Sequence, residues 1–322
     1  MKILKKNVFW GLLLAAVMVS VILMSSLQGL NKKDSEDSLC FSSNDTVETV
    51  RGKIQKMRDD IARNHGTFEV GITPAVFYPV EKICGANPDL KPADSALHER
   101  PELTGISDVM TLPSAYTGYY SMPPADGLNC SISWAFGTTC AVEGAVMRYL
   151  GNYSVNFSEQ YLLDCNIDGW ECTYGGWYAF NMFMSPYGSR FESCYPYTGV
   201  KGTCQTACSA GYRISNWYYV GSSSSVPTVD AIKNAIYSRG NVGAGVYVNS
   251  YFQAYTSGCF SYNLSGSANH FINLVGWNDS TCTTGGWYLK NDWGTAWGQC
   301  GMMWIKYGVQ QVGYAAAYAV YP

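Results

Sequence analysis

Histidine is scarce in this chain: His65, His98 and His270 are the only three among 322 residues. No Cys-x-x-Cys pair occurs, and with so few histidines no metal or cofactor is expected. Charge is also thin. Charged residues make up 14% of the chain, the net charge is -3, and no basic stripe marks a nucleic-acid partner. No internal repeat occurs. What the sequence does have is apolar mass and sulfur. Apolar residues make up 47%, enough for a large core, and there are twelve cysteines. That many cysteines fit an oxidising compartment, where disulfides persist.

The N-terminus agrees with that placement. Lys2, Lys5 and Lys6 precede an uncharged apolar run from Val8 to Met24. This is the pattern of a signal peptide or a signal anchor over residues 1–27, with the remainder extracytoplasmic, secreted or membrane-anchored. A membrane partner is therefore expected only through residues 8–24. Residues 28–105 read as a tether and a pro-segment-like region. Within them, Val47, Val50, Ile54, Met57 and Ile61 recur at helical spacing. Asp45 followed by Glu48 has the form of a capping box, and Asn64 to Gly66 stop the helix. Residues 67–104 are rich in Pro, Gly and charge and read as mostly irregular.

From about residue 106 the composition shifts toward Tyr, Trp, Gly and Ser. Residues 134–150 read as a helix with a stop at Gly151, and helices are also expected over residues 177–184 and 228–239. Strand-like runs follow at residues 242–248, 271–277, 287–291 and 302–306. Helices first and strands after predict an α+β fold with segregated lobes.

Three motifs carry a resemblance. The first is Cys130-Ser131-Ile132-Ser133-Trp134-Ala135-Phe136, followed by Ser158-Glu159-Gln160-Tyr161-Leu162-Leu163-Asp164-Cys165. The second is Asn269-His270-Phe271-Ile272-Asn273-Leu274-Val275-Gly276-Trp277. The third is Lys290-Asn291-Asp292-Trp293-Gly294-Thr295-Ala296-Trp297-Gly298. In order and spacing they resemble the papain-like cysteine peptidases, and Gly175-Gly176-Trp177 and Tyr195-Pro196-Tyr197 support the match. The resemblance implies a two-lobed α+β fold over residues 106–322. A helical lobe would span about residues 115–215 and a β-barrel-like lobe about residues 216–322, with a cleft between them that takes an extended peptide.

The resemblance also implies roles. His270 matches the general base, Asn291 the residue that orients it, and Trp293 the ring that shields their contact. Gly175 and Gly176 fall on the cleft. Cys130 would pair with Cys172, and Cys165 with Cys204. Cys194 and Cys208 are a candidate local bridge. Cys140 reads as a core residue, Cys40 and Cys84 lie upstream, and Cys259, Cys282 and Cys300 stay unassigned.

Two departures bear on chemistry. Ser133 stands where the family presents its nucleophilic thiol. A hydroxyl is far less acidic than a thiol, so it forms no resting ion pair with an imidazole. Gly127 stands where the family presents an oxyanion-hole glutamine, and it has no side chain to donate. Asp292 also follows Asn291 where serine is common. One expectation is a catalytically impaired, peptide-binding pseudopeptidase. The alternative is an active hydrolase with a Ser133–His270–Asn291 triad, in which neutral His270 takes the hydroxyl proton. A third reading is a template role, since the silicateins of this family also carry serine at that place.

Overall fold

The computed structural model describes residues 39–87, 90, 94–99, 111–118, 120, 127–152, 154–172, 175–176 and 179–322. Residues 41–322 form one compact unit, and residues 1–40 fall in another, of which only Leu39 and Cys40 are described. The apolar run 8–24 and the tether up to residue 38 lie outside the described residues. Among the described residues no helix is long and apolar enough to cross a membrane.

The upstream helix α1 spans Val47–Arg63 and buries Val50, Ile54, Met57 and Ile61, one face at spacings of three and four. Its N-cap is Thr46, whose hydroxyl accepts from Thr49 N, and not the expected Asp45. Asp45 instead accepts from Ser42 N at 3.0 Å and pairs with Lys53. The stretch expected to be irregular holds short elements: strand β1 (Phe68–Val70), a 3-10 turn at Pro74–Phe77, helix α2 (Val80–Ile83) and a second 3-10 turn at Ser95–His98. Strand β2 (Ala115–Thr117) follows.

Helix α3 spans Ser133–Leu150 and ends at Gly151, whose φ of 64° takes the left-handed cap conformation that glycine adopts without steric cost. It is buried from Ser133 through Met147, as a helix at the centre of a lobe must be. Helix α4 (Glu159–Cys165) is capped by the Ser158 hydroxyl, which accepts from Tyr161 N. The helix expected over residues 177–184 is only a 3-10 turn at Ala179–Phe183. Helix α5 (Val229–Arg239) starts at the Thr228 cap, and α6 is the short Ser250–Gln253.

The remaining strands are β3 (Asn216–Tyr219), β4 (Val242–Val246), β5 (Tyr255–Phe260), β6 (His270–Asn278), β7 (Gly286–Lys290), β8 (Met302–Lys306) and β9 (Tyr314–Val320). They form one sheet in the order β1-β5-β8-β7-β6-β4-β9-β3, with β2 also paired to β6. All pairings are antiparallel except β5 with β8. Two strands therefore come from outside the expected β lobe. Strand β1 belongs to the upstream segment, and β2 to the start of the expected helical lobe. The result is a two-lobed α+β architecture, with α3 packed on β6, β9 and β4.

Four disulfides tie the loops: Cys130–Cys172, Cys165–Cys204, Cys194–Cys208 and Cys259–Cys282. Three bridges lie in the helical lobe, and the fourth joins β5 to the turn after β6. Cys84, Cys140 and Cys300 are free thiols.

Candidate active-site cleft

Ser133 is the first residue of α3 and is fully buried. Ile132 precedes it as N-cap and offers no side-chain cap, while its main-chain oxygen accepts from Ala135 N at 2.7 Å and Phe136 N at 3.1 Å. The positive end of the helix therefore lies at Ser133 without a capping side chain. The Ser133 hydroxyl, away from solvent, completes no hydrogen bond. The turn before it is fixed by the Cys130–Cys172 bridge and by the Tyr197 hydroxyl, which donates to Cys130 O at 3.3 Å. One turn further on, Gly137 packs against Phe271, and Asn273 Nδ2 donates to Gly137 O at 3.1 Å. The start of α3 is thereby held against the start of β6.

His270 is the first residue of β6, and Asn291 directly follows β7. Antiparallel pairing of the two strands, with Asn273 opposite Lys290, brings these side chains together. His270 Nε2 lies 2.8 Å from Asn291 Oδ1 and 3.3 Å from Asp292 Oδ1. The Trp293 ring covers the imidazole at 5.0 Å between centroids, and all four residues are buried. Burial opposes a charge on the ring, but the Asp292 carboxylate, followed by Cys84, outweighs it and raises His270 from 6.5 to about 10. Asp292 stood out in the sequence only as a departure from serine, and its contact with the imidazole is a tertiary fact.

Gly127 lies against the same carboxylate residue. Its N–H donates to Asp292 O at 2.6 Å, and a Cβ built on it would sit 3.0 Å from that oxygen and from the Phe136 ring. Gly175 packs flat on Trp134, so closely that a Cβ there would overlap the indole. Gly176 is held in the same way against Trp170 and Leu90 O.

One occupant of the cleft was not foreseen. Residues 84–87 of the upstream segment run along Gly175 as an extended strand. Gly175 N donates to Gly85 O at 3.2 Å, Asn87 N donates to Gly175 O at 2.9 Å, and Ala86 bridges Gly175 in parallel. On the other side, Gly85 N donates to Ser131 Oγ at 2.6 Å. The Cys84 thiol ends against His270 and interacts with its ring. No sequence signal marks this contact, because Cys84 and His270 lie in different elements far apart in the chain. Helix α1 anchors the segment: Asp60 Oδ2 accepts from the hydroxyls of Tyr251 at 2.9 Å and Tyr262 at 3.0 Å.

Cys140 lies behind the site, 3% exposed, with its thiol 3.8 Å from Lys290 Nζ. Burial raises it to about 11. No cluster of metal-ligating side chains occurs among the described residues.

Comparison with known proteins agrees with this architecture. Residues 119–322 match the model of the papain family cysteine proteases. A cathepsin L-like proteinase of Fasciola hepatica is 34% identical over 194 residues, covering 58% of this chain and 56% of that protein. Zingipain-1 of Zingiber officinale is 32% identical over 196 residues, covering 60% of this chain and 86% of that protein. Fruit bromelain of Ananas comosus is 31% identical over 184 residues, covering 56% of this chain and 50% of that protein. The match thus spans about half the length of the Fasciola and Ananas relatives. In fold, the chain is similar to digestive procathepsin L 3 of Tenebrio molitor larval midgut. The TM-score is 0.70 at 22% identity, with 90% of this chain and 97% of that one covered. With the family model matched over more than half its length, this chain belongs to the papain family of cysteine proteases.

Proposed function

We propose that this chain is an extracytoplasmic papain-family protein that binds extended peptide in its cleft and turns it over poorly or not at all. The observation that carries the reading is the state of the site. Ser133 stands at the helix start with no hydrogen bond to its hydroxyl, while His270 is paired on Nε2 with the Asp292 carboxylate. In the thiol chemistry of the family, an imidazolium is useful because it stabilises the attacking thiolate. A hydroxyl needs the opposite, a neutral imidazole that takes its proton during attack. A ring that the Asp292 carboxylate biases toward its protonated form is a poor acceptor for that proton near neutrality. Gly127 supplies no side-chain donor for a developing oxyanion, a loss that costs about 10²–10³ in rate.

Peptide binding is supported by what lies in the cleft. The main chain of residues 84–87 is bound by Gly175 and Ser131 as an added strand, the way sheet edges take extended peptides. In this reading the upstream region, residues 28–105, acts as a pro-segment that occupies the groove until it is displaced or removed. Four disulfides support placement in an oxidising compartment.

A second reading keeps activity: hydrolysis through Ser133, His270 and Asn291. The Asp292 carboxylate favours it, since serine hydrolases also set a carboxylate against the imidazole nitrogen that faces away from the nucleophile. A fluorophosphonate probe separates the two. The full chain, before and after limited proteolysis of the upstream segment, is treated across the pH range and Ser133 is examined by peptide mapping. The impaired reading expects no adduct at Ser133 near neutral pH and no peptide hydrolysis. Stoichiometric labelling there with hydrolysis establishes the serine enzyme instead.

A further inference from the structure

The upstream strand passes through the cleft at its tightest point on Gly85. The Gly85 N–H donates to Ser131 Oγ at 2.6 Å on one side, and its carbonyl accepts from Gly175 N at 3.2 Å on the other. Both bonds hold main chain, so neither selects a side chain. The space does. A Cβ built on Gly85 would collide with Ser131 O and lie 2.9 Å from Ser131 Oγ and 3.0 Å from Cys172 O. The two carbonyl oxygens are main-chain atoms, and the Cys130–Cys172 disulfide ties the segments that carry them. They cannot part to admit a methyl group. The wall on the other side is as firm, because Gly175 rests on the fully buried Trp134 ring. The passage therefore fits bare backbone and nothing wider. The next residue, Ala86, is buried in the same apolar cluster as Trp134 and Trp170.

We infer that the cleft selects extended chains with glycine at this place, and that Ser131 and Cys172 set the selection. The inference rests on the peptide-binding reading above and names the class of peptide admitted. That class is glycine followed by an apolar residue, its main chain parallel to Gly175 as residues 85–87 are. Any other residue at the first place drives its Cβ into the Ser131 carbonyl. Proline fails twice, since it also lacks the N–H that Ser131 Oγ accepts. Ser131 is thus a specificity residue with two functions: its hydroxyl holds the ligand's amide, and its carbonyl excludes a side chain. Residues 84–87 are the tethered form of the same ligand. Tethering keeps that copy at high effective concentration, so a separate chain of the same pattern enters when the tethered strand leaves.

Gly85→Ala in the full chain is the first test, read by hydrogen exchange. The Asn87 and Gly175 amides donate across the pairing and report whether the groove is filled. With its melting transition intact, the variant is expected to exchange both at least about tenfold faster than the parent. Gly52→Ala, whose methyl meets open space on α1, keeps the parent rates. The emptied groove is then offered a synthetic peptide, Glu-Lys-Ile-Ser-Gly-Ala-Asn, which is residues 81–87 with serine for the cysteine. It is expected to restore protection at Gly175, and the same peptide with alanine for glycine to bind at least about tenfold more weakly. The parent chain gives a second readout that needs no variant: the glycine peptide in excess speeds proteolysis of residues 84–90, and the alanine peptide does not. Undiminished protection of both amides in Gly85→Ala overturns the inference. So does an equal effect of the two peptides in either assay, an outcome that leaves the peptide-binding reading standing. A released strand with neither peptide bound removes that reading, and the inference with it.

Discussion

The Nε2 of His270 and Oδ1 of Asp292 form an ion pair at 3.3 Å, with the two side chains 0% and 7% exposed. The Asn291 amide lies on the same nitrogen at 2.8 Å, so the ring is held by one neutral and one charged partner. The carboxylate decides the protonation state, and several expectations depend on it.

Asp292→Asn removes the largest favourable influence on the charged ring. The His270 titration, followed by NMR of the imidazole protons, is expected to fall from about 10 toward or below the ordinary 6.5, because burial then dominates. An unchanged titration would show that Asp292 does not set the charge.

Stability should follow the same group. A folded pKa raised above the unfolded one means the folded state binds the extra proton. The contribution is therefore complete below about pH 6.5 and lost as pH rises through about 10. Urea denaturation at a series of pH values is expected to show stability declining over that window, with the slope reduced in Asp292→Asn.

Ser133→Cys places a thiol at the first residue of α3, the end of a helix that favours an anion. Iodoacetamide is expected to alkylate residue 133 rapidly once the upstream segment is displaced, whereas the parent chain takes no label there. Peptide hydrolysis should still fall about 10²–10³ short of an intact oxyanion hole. Adding Gly127→Gln repairs the donor but crowds Asp292 O, already 3.0 Å from the Cβ position, and is expected to cost about 1–3 kcal/mol in denaturant melts.

Gly175→Ala tests the wall of the groove. The added methyl overlaps the Trp134 indole, itself fully buried, so a loss of about 1–3 kcal/mol is expected from overpacking. Melting at the parent temperature would show that Trp134 yields freely.

Asp60→Ala leaves the Tyr251 and Tyr262 hydroxyls without their shared acceptor. At present burial and the Asp60 carboxylate both push the Tyr262 phenol above its ordinary value. The variant is expected to titrate Tyr262 at lower pH and to release α1 more readily, seen as faster proteolysis of residues 64–90. Equal proteolysis in both chains would place the anchor elsewhere.

The elements most legible in sequence were those whose signals are local. Helix α3 runs to Leu150 because apolar residues continue to Gly151, and β8 matches its Met-Met-Trp-Ile-Lys run residue for residue. Strand β9, Tyr-Ala-Ala-Ala-Tyr-Ala-Val, was missed because alanine carries little strand preference, and only pairing with β3 and β4 makes it extended. Helix α4 has seven residues, too few to show a period, although its Ser158 cap stands in plain view. The pairing of Cys259 with Cys282 depends on β5 and the turn after β6 meeting in space, which no spacing reveals.

Residue identity alone determined that a hydroxyl, not a thiol, opens α3, and that no amide stands at position 127. Both follow from covalent structure and hold in any conformation. Tertiary packing alone decided that the Asp292 carboxylate reaches the imidazole and that a cysteine from far upstream lies against the same ring. Each contact joins groups on separate elements, so it exists only once β6, β7 and the upstream strand are assembled around α3.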